Sequence, residues 1–412
     1  VKVRAVQLHN DAEGGRVLPR TEYEVDESRA REMIAAGFVI SLERQDYVGW
    51  DQAYGRQLSP LPGPTHYGHE RPILDPSPRV LQLTQYDPGS AGYRYHSAFN
   101  HAADVDGHDG TSAFVRFGSS NPFCDLRQFD GTRQRAAVSH LFDTADVVHV
   151  HMDYTTLDEG HCMARWPDRS RQLLVRHYHG SQGPESFKNG TYRLVQQALD
   201  DQVGALQIGA RLYHPKRYGA HIPWIPIPVP VDDYAALRAQ HWVPVEQRPD
   251  KRVRICHSST NDRVKGTVAL DCILPDLIDK GWPISYVKIV NTKHADCLRI
   301  KASCDLTFDS FWLGIQGSGL EAAAMGQPVI AGDSQVREDY IDETGSCPYT
   351  FCQQPDDLIK VLEPLVFDEQ HRAAEAARVG AYVREYHDYA AVGRKYWALV
   401  GAALKERNLV AA

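Results

Sequence analysis

The stretch DSFWLGIQGSGLEAAAMGQPVIAGD, residues 309–333, decides how the second half of the chain is read. The apolar run ending at Asp309 and the later run PVIAGD have the length and composition of buried strands. Between them, Gly314, Gly317, Ser318 and Gly319 lead into a helix of small residues that stops at Gly326, before Pro328. Strand, glycine-rich loop, helix and strand make one unit of a parallel sheet. The helix carries one carboxylate, Glu321. Ser318 and Glu321 have the spacing of a capping box, in which each side chain satisfies a backbone N–H. The other reading is that Glu321 holds a ligand admitted by the glycines, which let a backbone come close. Asp309, at its strand end, is a second candidate cap.

The same alternation extends upstream. RVRICHS (252–258) reads as a strand, and HSSTNDRVKGT (257–267) follows it into a helix. A helix N-terminus presents free N–H groups and partial positive charge, and Asn261, Arg263 and Lys265 add polar and cationic groups there. The alternative is a solvated basic turn with Thr267 as N-cap. Pro275 should kink or shorten the helix that follows. Further strands are expected at ISYVKIV and CDLTFDS, and helices over most of 355–407.

A first alternating series begins at residue 79. RVLQLTQY leads through DPGSAGYR (87–94) into a helix, and SAFVRF, ADVVHVHM, QLLVRHYHG and VGALQIG read as further strands. Gly89 and Gly92 are candidates for close approach to an acceptor or a phosphate, or else form a plain turn. HIPWIPIPVPVDDY (221–234) carries Pro223, Pro226, Pro228 and Pro230, which exclude a central strand and suit an extended crossing. The fold class expected is therefore α/β, with two Rossmann-like parallel-sheet domains facing a cleft. Residues 79–235 form the first and residues 236–412 the second. Residues 1–45 read as a small N-terminal α+β module that packs on the rest or docks a partner, and residues 46–78 as a Pro/Gly-rich linker. Ligands of such sheets sit beyond the carboxyl ends of strands, often between domains.

The bulk numbers exclude some classes. In 412 residues the formal net charge is −8, which gives no general attraction to nucleic acid or anionic membrane. No apolar run reaches the ~18 residues of a membrane span, and the first residues lack a signal-peptide core, so a cytoplasmic protein is expected. The eight cysteines show no Cys-x-x-Cys spacing and read as reduced thiols, several of them buried. His149 and His151 share one strand face, as do His177 and His179. Three readings stay open for them: a wall of an active site, satisfied core histidines, or a metal site.

The two motifs together, HSSTNDRVKGT and CDLTFDSFWLGIQGSGLEAAAMGQPVIA, resemble the nucleotide-binding half of GT-B fold glycosyltransferases, most closely the retaining family 4. The resemblance covers 252–335 and extends weakly over 79–235. It implies transfer of a sugar from a nucleotide-diphosphate sugar, a UDP-sugar by preference, to an acceptor it does not name (protein, glycan, lipid or modified DNA), with retention of configuration. It implies that Lys265, helped by Arg263, binds the donor diphosphate, that Glu321 holds the ribose, and that Gly317, Ser318 and Gly319 face the diphosphate and sugar. His179 would border acceptor and donor sugar. No metal or other cofactor is implied, and no acidic triplet is read as a Mg²⁺ holder. One position departs from the family pattern. A second glutamate is usual eight residues before the first, and Leu313 stands there, so Asp309 or Gln316 would have to read the sugar. Two other readings remain: a sugar-nucleotide epimerase on the same fold, and a non-catalytic nucleotide- or glycan-binding protein. Residues 1–45 also resemble small modules of bacteriophage proteins, which implies a phage-encoded enzyme in a bacterial host cytoplasm.

Overall fold

A computed structural model describes residues 78–84, 91–107, 110–116, 135–151, 166–179, 203–210, 222–259 and 262–407, with short strands at 2–5, 9–10, 16–17, 22–24, 39–41 and 129–130 and the single positions 157, 212 and 409. The expected helix after Asp26, the 46–77 stretch, Asn261 and Gly89 lie outside these residues. Within 1–45, Lys2–Ala5 pairs antiparallel with Glu22–Glu24 and Val39–Ser41, and His9–Asn10 pairs with Arg16–Val17.

The first large sheet contains β1 (Arg79–Thr84), β2 (Thr111–Arg116), β3 (Phe129–Asp130), β4 (Val147–His151), β5 (Leu173–Tyr178) and β6 (Leu206–Gly209). Their spatial order is β6-β5-β4-β1-β2-β3, with every pair parallel. β4 and β5 are buried along their whole length, as strands covered on both faces must be. One face packs on α2 (Arg135–Thr144) through Leu81, Leu83, Val148, Val150 and Leu141. The other packs on α1 (Ala91–Asp106) through Val80, Val147, Val175, Tyr95 and Phe99.

Extended backbone at 222–230 then leads to α3 (Val231–His241) and the second sheet. It contains β7 (Val253–Ser258), β8 (Ile284–Ile289), β9 (Leu306–Ser310), β10 (Val329–Ala331) and β11 (Thr350–Phe351), in the order β8-β7-β9-β10-β11 and again all parallel. Helices α4 (Asp262–Lys265), α5 (Thr267–Asp279), α6 (His294–Ala302), α7 (Gly317–Ala324), α8 (Ser334–Thr344), α9 (Leu358–Phe367) and α10 (Glu369–His387) surround it.

Two local expectations change. Helix α5 runs through Pro275 without ending; the residue is exposed, so water can serve the carbonyl its missing N–H leaves free. The last helix, α11 (Tyr389–Glu406), lies in the stretch that the sequence groups with the second unit, yet its buried face joins the first. Val392, Tyr396, Val400 and Leu404 share a core with Val80, Tyr95 and Phe99, and the Tyr396 ring stacks on Phe99 at 3.6 Å. No helix among the described residues is long and apolar enough to cross a membrane.

Strand order reverses between β1 and β4 in the first sheet and between β7 and β9 in the second. Such reversal points open a crevice at the carboxyl ends of the strands. Thr84 and His151 end the strands at one crevice, and Ser258 and Ser310 at the other.

Candidate functional site

In the second sheet, the crevice is closed by an ion pair. Lys265, at the end of the short helix α4 that follows β7, binds Asp309 on β9. Both are nearly or fully buried. The turn is anchored from below by His257. Its Nδ1–H donates to the Phe308 carbonyl at 3.0 Å, and its Nε2 accepts from the Thr267 hydroxyl at 2.8 Å. That pattern needs a neutral ring, and burial lowers its pKa accordingly. Gly266 has φ +79°, and a Cβ there would lie 2.4 Å from the Phe311 ring, so only glycine fits between Lys265 and Thr267. Thr267 follows the N-cap, which is Gly266. Arg263 lies exposed on α4.

Asp309 also accepts the Gln316 N–H at 2.5 Å, which holds the glycine loop against the end of β9. A Cβ on Gly319 would lie 2.7 Å from Asp309 Oδ2, so glycine is what allows α7 this close to the strand. The capping-box reading fails. The N-cap of α7 is Gln316, with no side-chain cap, and both Ser318 and Glu321 lie inside the helix. The Ser318 hydroxyl bonds that of Ser258 at 2.5 Å, joining the two crevice walls. At Leu313 only the backbone is engaged: its N–H donates to Ser310 Oγ and its carbonyl accepts from Gln316 Nε2.

Glu321 is 4% exposed and meets three basic side chains. Lys301 on α6 donates to Oε2 at 2.7 Å, His294 approaches Oε1 at 2.9 Å, and Arg94 on α1 of the first domain also binds Oε1. Lys301 is fully buried and further donates to the Ser318 carbonyl and hydroxyl at 3.1 and 3.0 Å. Burial alone would raise the Glu321 pKa. The charges of Lys301 and Arg94, with His294, outweigh it and hold the carboxyl well below its usual range. Burial disfavours the charge on Lys301 and Arg94 too, and Glu321 reverses this for both.

In the first domain, four histidines gather at the carboxyl ends of β4 and β5. His151 Nδ1 lies 2.8 Å from His179 Nε2, and His151 Nε2 lies 2.8 Å from Gln82 Oε1, whose amide nitrogen donates to Ser112 Oγ at 2.6 Å. His151 therefore donates to Gln82 and accepts from His179. Deeper, the Tyr396 hydroxyl lies 3.0 Å from His149 Nδ1, and His149 Nε2 lies 3.1 Å from His177 Nδ1. Burial pushes Tyr396 well above its ordinary value, so it keeps its proton and donates. Burial first, then mutual repulsion, holds His149, His151 and His177 well below 6.5, and burial lowers His179 to about 3. The cluster is neutral. Ligand atoms of His149, His151 and His177 lie within 4.8 Å of one another, the residue types and spacing of a transition-metal site. Apart from Nε2 of His177, their ring nitrogens already take part in these hydrogen bonds. Gly92 lies inside α1, where a Cβ would meet the Phe114 ring at 2.6 Å; it serves helix-on-sheet packing rather than an open loop.

The structure thus brings Lys265, Asp309, Ser318, Gly319 and Glu321 together. It adds Arg94, His294 and Lys301, which no local pattern marked. Arg94 was the last letter of the glycine loop, and its partner is 227 residues away. The one-letter run DVD, Asp104 to Asp106, ends α1 at the end opposite Arg94, and Asp106 pairs with Arg394.

No protein-family model matches the chain, and no curated protein matches it. Solved structures do. An alpha-glucosyltransferase in complex with UDP-glucose and DNA containing an abasic site aligns over 79% of this chain and 100% of its own, with TM-score 0.53 and 11% identity. Anabaena HepE in complex with UDP-glucose aligns over the same shares, with TM-score 0.50 and 16% identity. Sucrose-phosphate synthase from Thermosynechococcus elongatus aligns over 80% of this chain and 100% of its own, with TM-score 0.50 and 12% identity. At such identities the likeness is one of fold: two parallel α/β domains in the GT-B arrangement.

Proposed function

We propose that the chain is a glycosyltransferase that moves a sugar from a nucleotide-diphosphate sugar to an acceptor, with retention and without a metal. The observation that carries this reading is the cationic, glycine-walled crevice at the reversal point of the second sheet, where Lys265, the N-terminus of α7 and Glu321 converge. It is also supported by the UDP-glucose held by two of the fold neighbours, which favours a UDP-sugar as donor.

The chemistry follows from the residue types. Cleavage of a sugar–phosphate bond leaves new negative charge on the nucleoside diphosphate. Lys265, fixed by Asp309, and the first N–H groups of α7 stabilise it by preorganised electrostatics. Glu321 receives the ribose hydroxyls. Lys301 keeps that carboxylate ionised and in place. His179, neutral and tied to His151, borders the sugar and acceptor. Asp309 and Gln316 are the side chains left to read the sugar in place of the usual glutamate. Both are engaged, Asp309 by Lys265 and the Gln316 N–H, and Gln316 by backbone carbonyls. This leaves Leu313 as the feature that favours the second reading, a nucleotide-binding protein without turnover.

Titration calorimetry of UDP, GDP and ADP against the native chain, Lys265→Ala and Glu321→Ala tests the site. Each substitution is expected to weaken the preferred diphosphate by roughly tenfold or more, the worth of a charge-assisted contact. Unchanged binding in both variants would remove the assignment. Hydrolysis or transfer from the matching sugar nucleotide, unaffected by EDTA, separates transferase from mere binder; conversion of the donor without acceptor would identify an epimerase instead.

A further inference from the structure

Arg94 holds an unused half. Its Nη2 binds Glu321, but Nη1 is buried and has no hydrogen-bond partner among the described residues. The side chain is 7% exposed, so water does not solve this deficit freely. A buried guanidinium N–H left unpaired is costly, and such an orphan calls for a partner: a water, an ion or a ligand.

The direction of Nη1 is informative. It lies 3.8 Å from where a Cβ on Gly317 would stand, and among the described residues outside its chain neighbours and the helix's own backbone it is the one atom within 4 Å of that point. Gly317 is the first residue of α7. The Leu320 N–H donates back to the carbonyl of the N-cap, Gln316, at 2.9 Å. The N–H groups of Gly317, Ser318 and Gly319 precede that ladder, as first-turn groups do. One half of an arginine fork and the open end of a helix therefore border the same small space. Both are donors, and among the described residues no carboxylate oxygen bonds Nη1; the acid at this helix end, Asp309, is taken by Lys265 and the Gln316 N–H.

We propose that Arg94 and the N-terminus of α7 form a two-domain seat for a phosphate group, so that the first domain lends a cation to a diphosphate held by the second. This rests on the nucleotide-sugar reading above and makes Arg94 a binding residue of that site. Nη2 stays on Glu321 while Nη1 takes a phosphate oxygen, the forked recognition that guanidinium geometry suits. The seat exists only while α1 and α7 are in contact, so a diphosphate would tie the two domains together.

The test is titration of inorganic pyrophosphate and of UDP, GDP and ADP into the full chain and three variants. Arg94→Lys keeps a charge for Glu321 but loses the fork. Arg94→Met removes both. Gly317→Ala puts a methyl into the seat at an ordinary contact distance and should fold normally. All three are expected to lose about tenfold or more in pyrophosphate affinity. For Gly317→Ala the melting temperature should match the native chain, which separates the seat from a merely structural role. Unchanged pyrophosphate affinity in Arg94→Lys and Gly317→Ala would overturn the proposal, as would a native chain that binds no pyrophosphate. Pyrophosphate binding that depends on Arg94, with no binding of any nucleoside diphosphate, would uphold the seat and remove the nucleotide-sugar reading instead.

Discussion

Two buried polar clusters solve the same problem in opposite ways. In the second domain, Glu321 stays charged because Lys301, Arg94 and His294 surround it. In the first, His149, His151, His177 and His179 shed their charge and hydrogen-bond one another as neutral rings. A buried charge needs an opposite charge at contact distance, and where none is near, an imidazole loses its proton. The charged cluster has the means to bind an anion. The neutral one has means only to hold a shape or pass a proton.

The comparison breaks most sharply at Lys301. Lys301→Met strands Glu321 among fewer cations and should cost roughly 3–5 kcal/mol in denaturant unfolding, the range for removing one partner of a buried pair. Adding Glu321→Gln should recover part of that loss. If the double variant is no better than the single one, the pair is not coupled.

Acid separates the clusters by pH. The buried histidines stay neutral when folded but gain protons when unfolded. Their contribution is complete above 6.5 and is lost as pH falls below it. Glu321 is depressed from 4.5, so its contribution is complete above that value and lost only below it. Melting temperature should thus fall in two stages. His149→Gln should flatten the first stage by about 1.4 kcal/mol per pH unit and leave the second intact. A slope unchanged by this variant would mean that His149 is not a neutral core group. The smallest effect is expected at Tyr396→Phe, which removes one hydrogen bond from the neutral cluster and should cost about 1 kcal/mol.

Much of this architecture is legible in the residues. The apolar strands and the glycine loop announce themselves because parallel strands are buried on both faces and because close approach needs glycine. Lys265, Asp309 and Glu321 follow from their places after strands. Alternation also put His149 with His151, and His177 with His179. What it could not supply was the register between β4 and β5, which sets His177 beside His151 and brings all four rings together. Arg94 and Lys301 were invisible for a related reason. An arginine on one helix and a lysine on another carry no local mark of the carboxylate they meet across the fold. The family-like spacing presents Glu321 as a free clamp, whereas Lys301, Arg94 and His294 already attend it.

The return of α11 to the first domain means that the chain passes between the domains twice. The two passages touch. The Val229 N–H donates to the His387 carbonyl at 2.8 Å, His387 Nδ1–H donates to the Ile227 carbonyl at 2.9 Å, and Val231 N–H reaches Asp388 at 3.3 Å. A single tether would let one domain swivel and twist on the other. Two tethers bonded side by side act as the pin of a door, resisting the swivel and twist that one would allow, while the Arg94–Glu321 ion pair joins the domains on its own account.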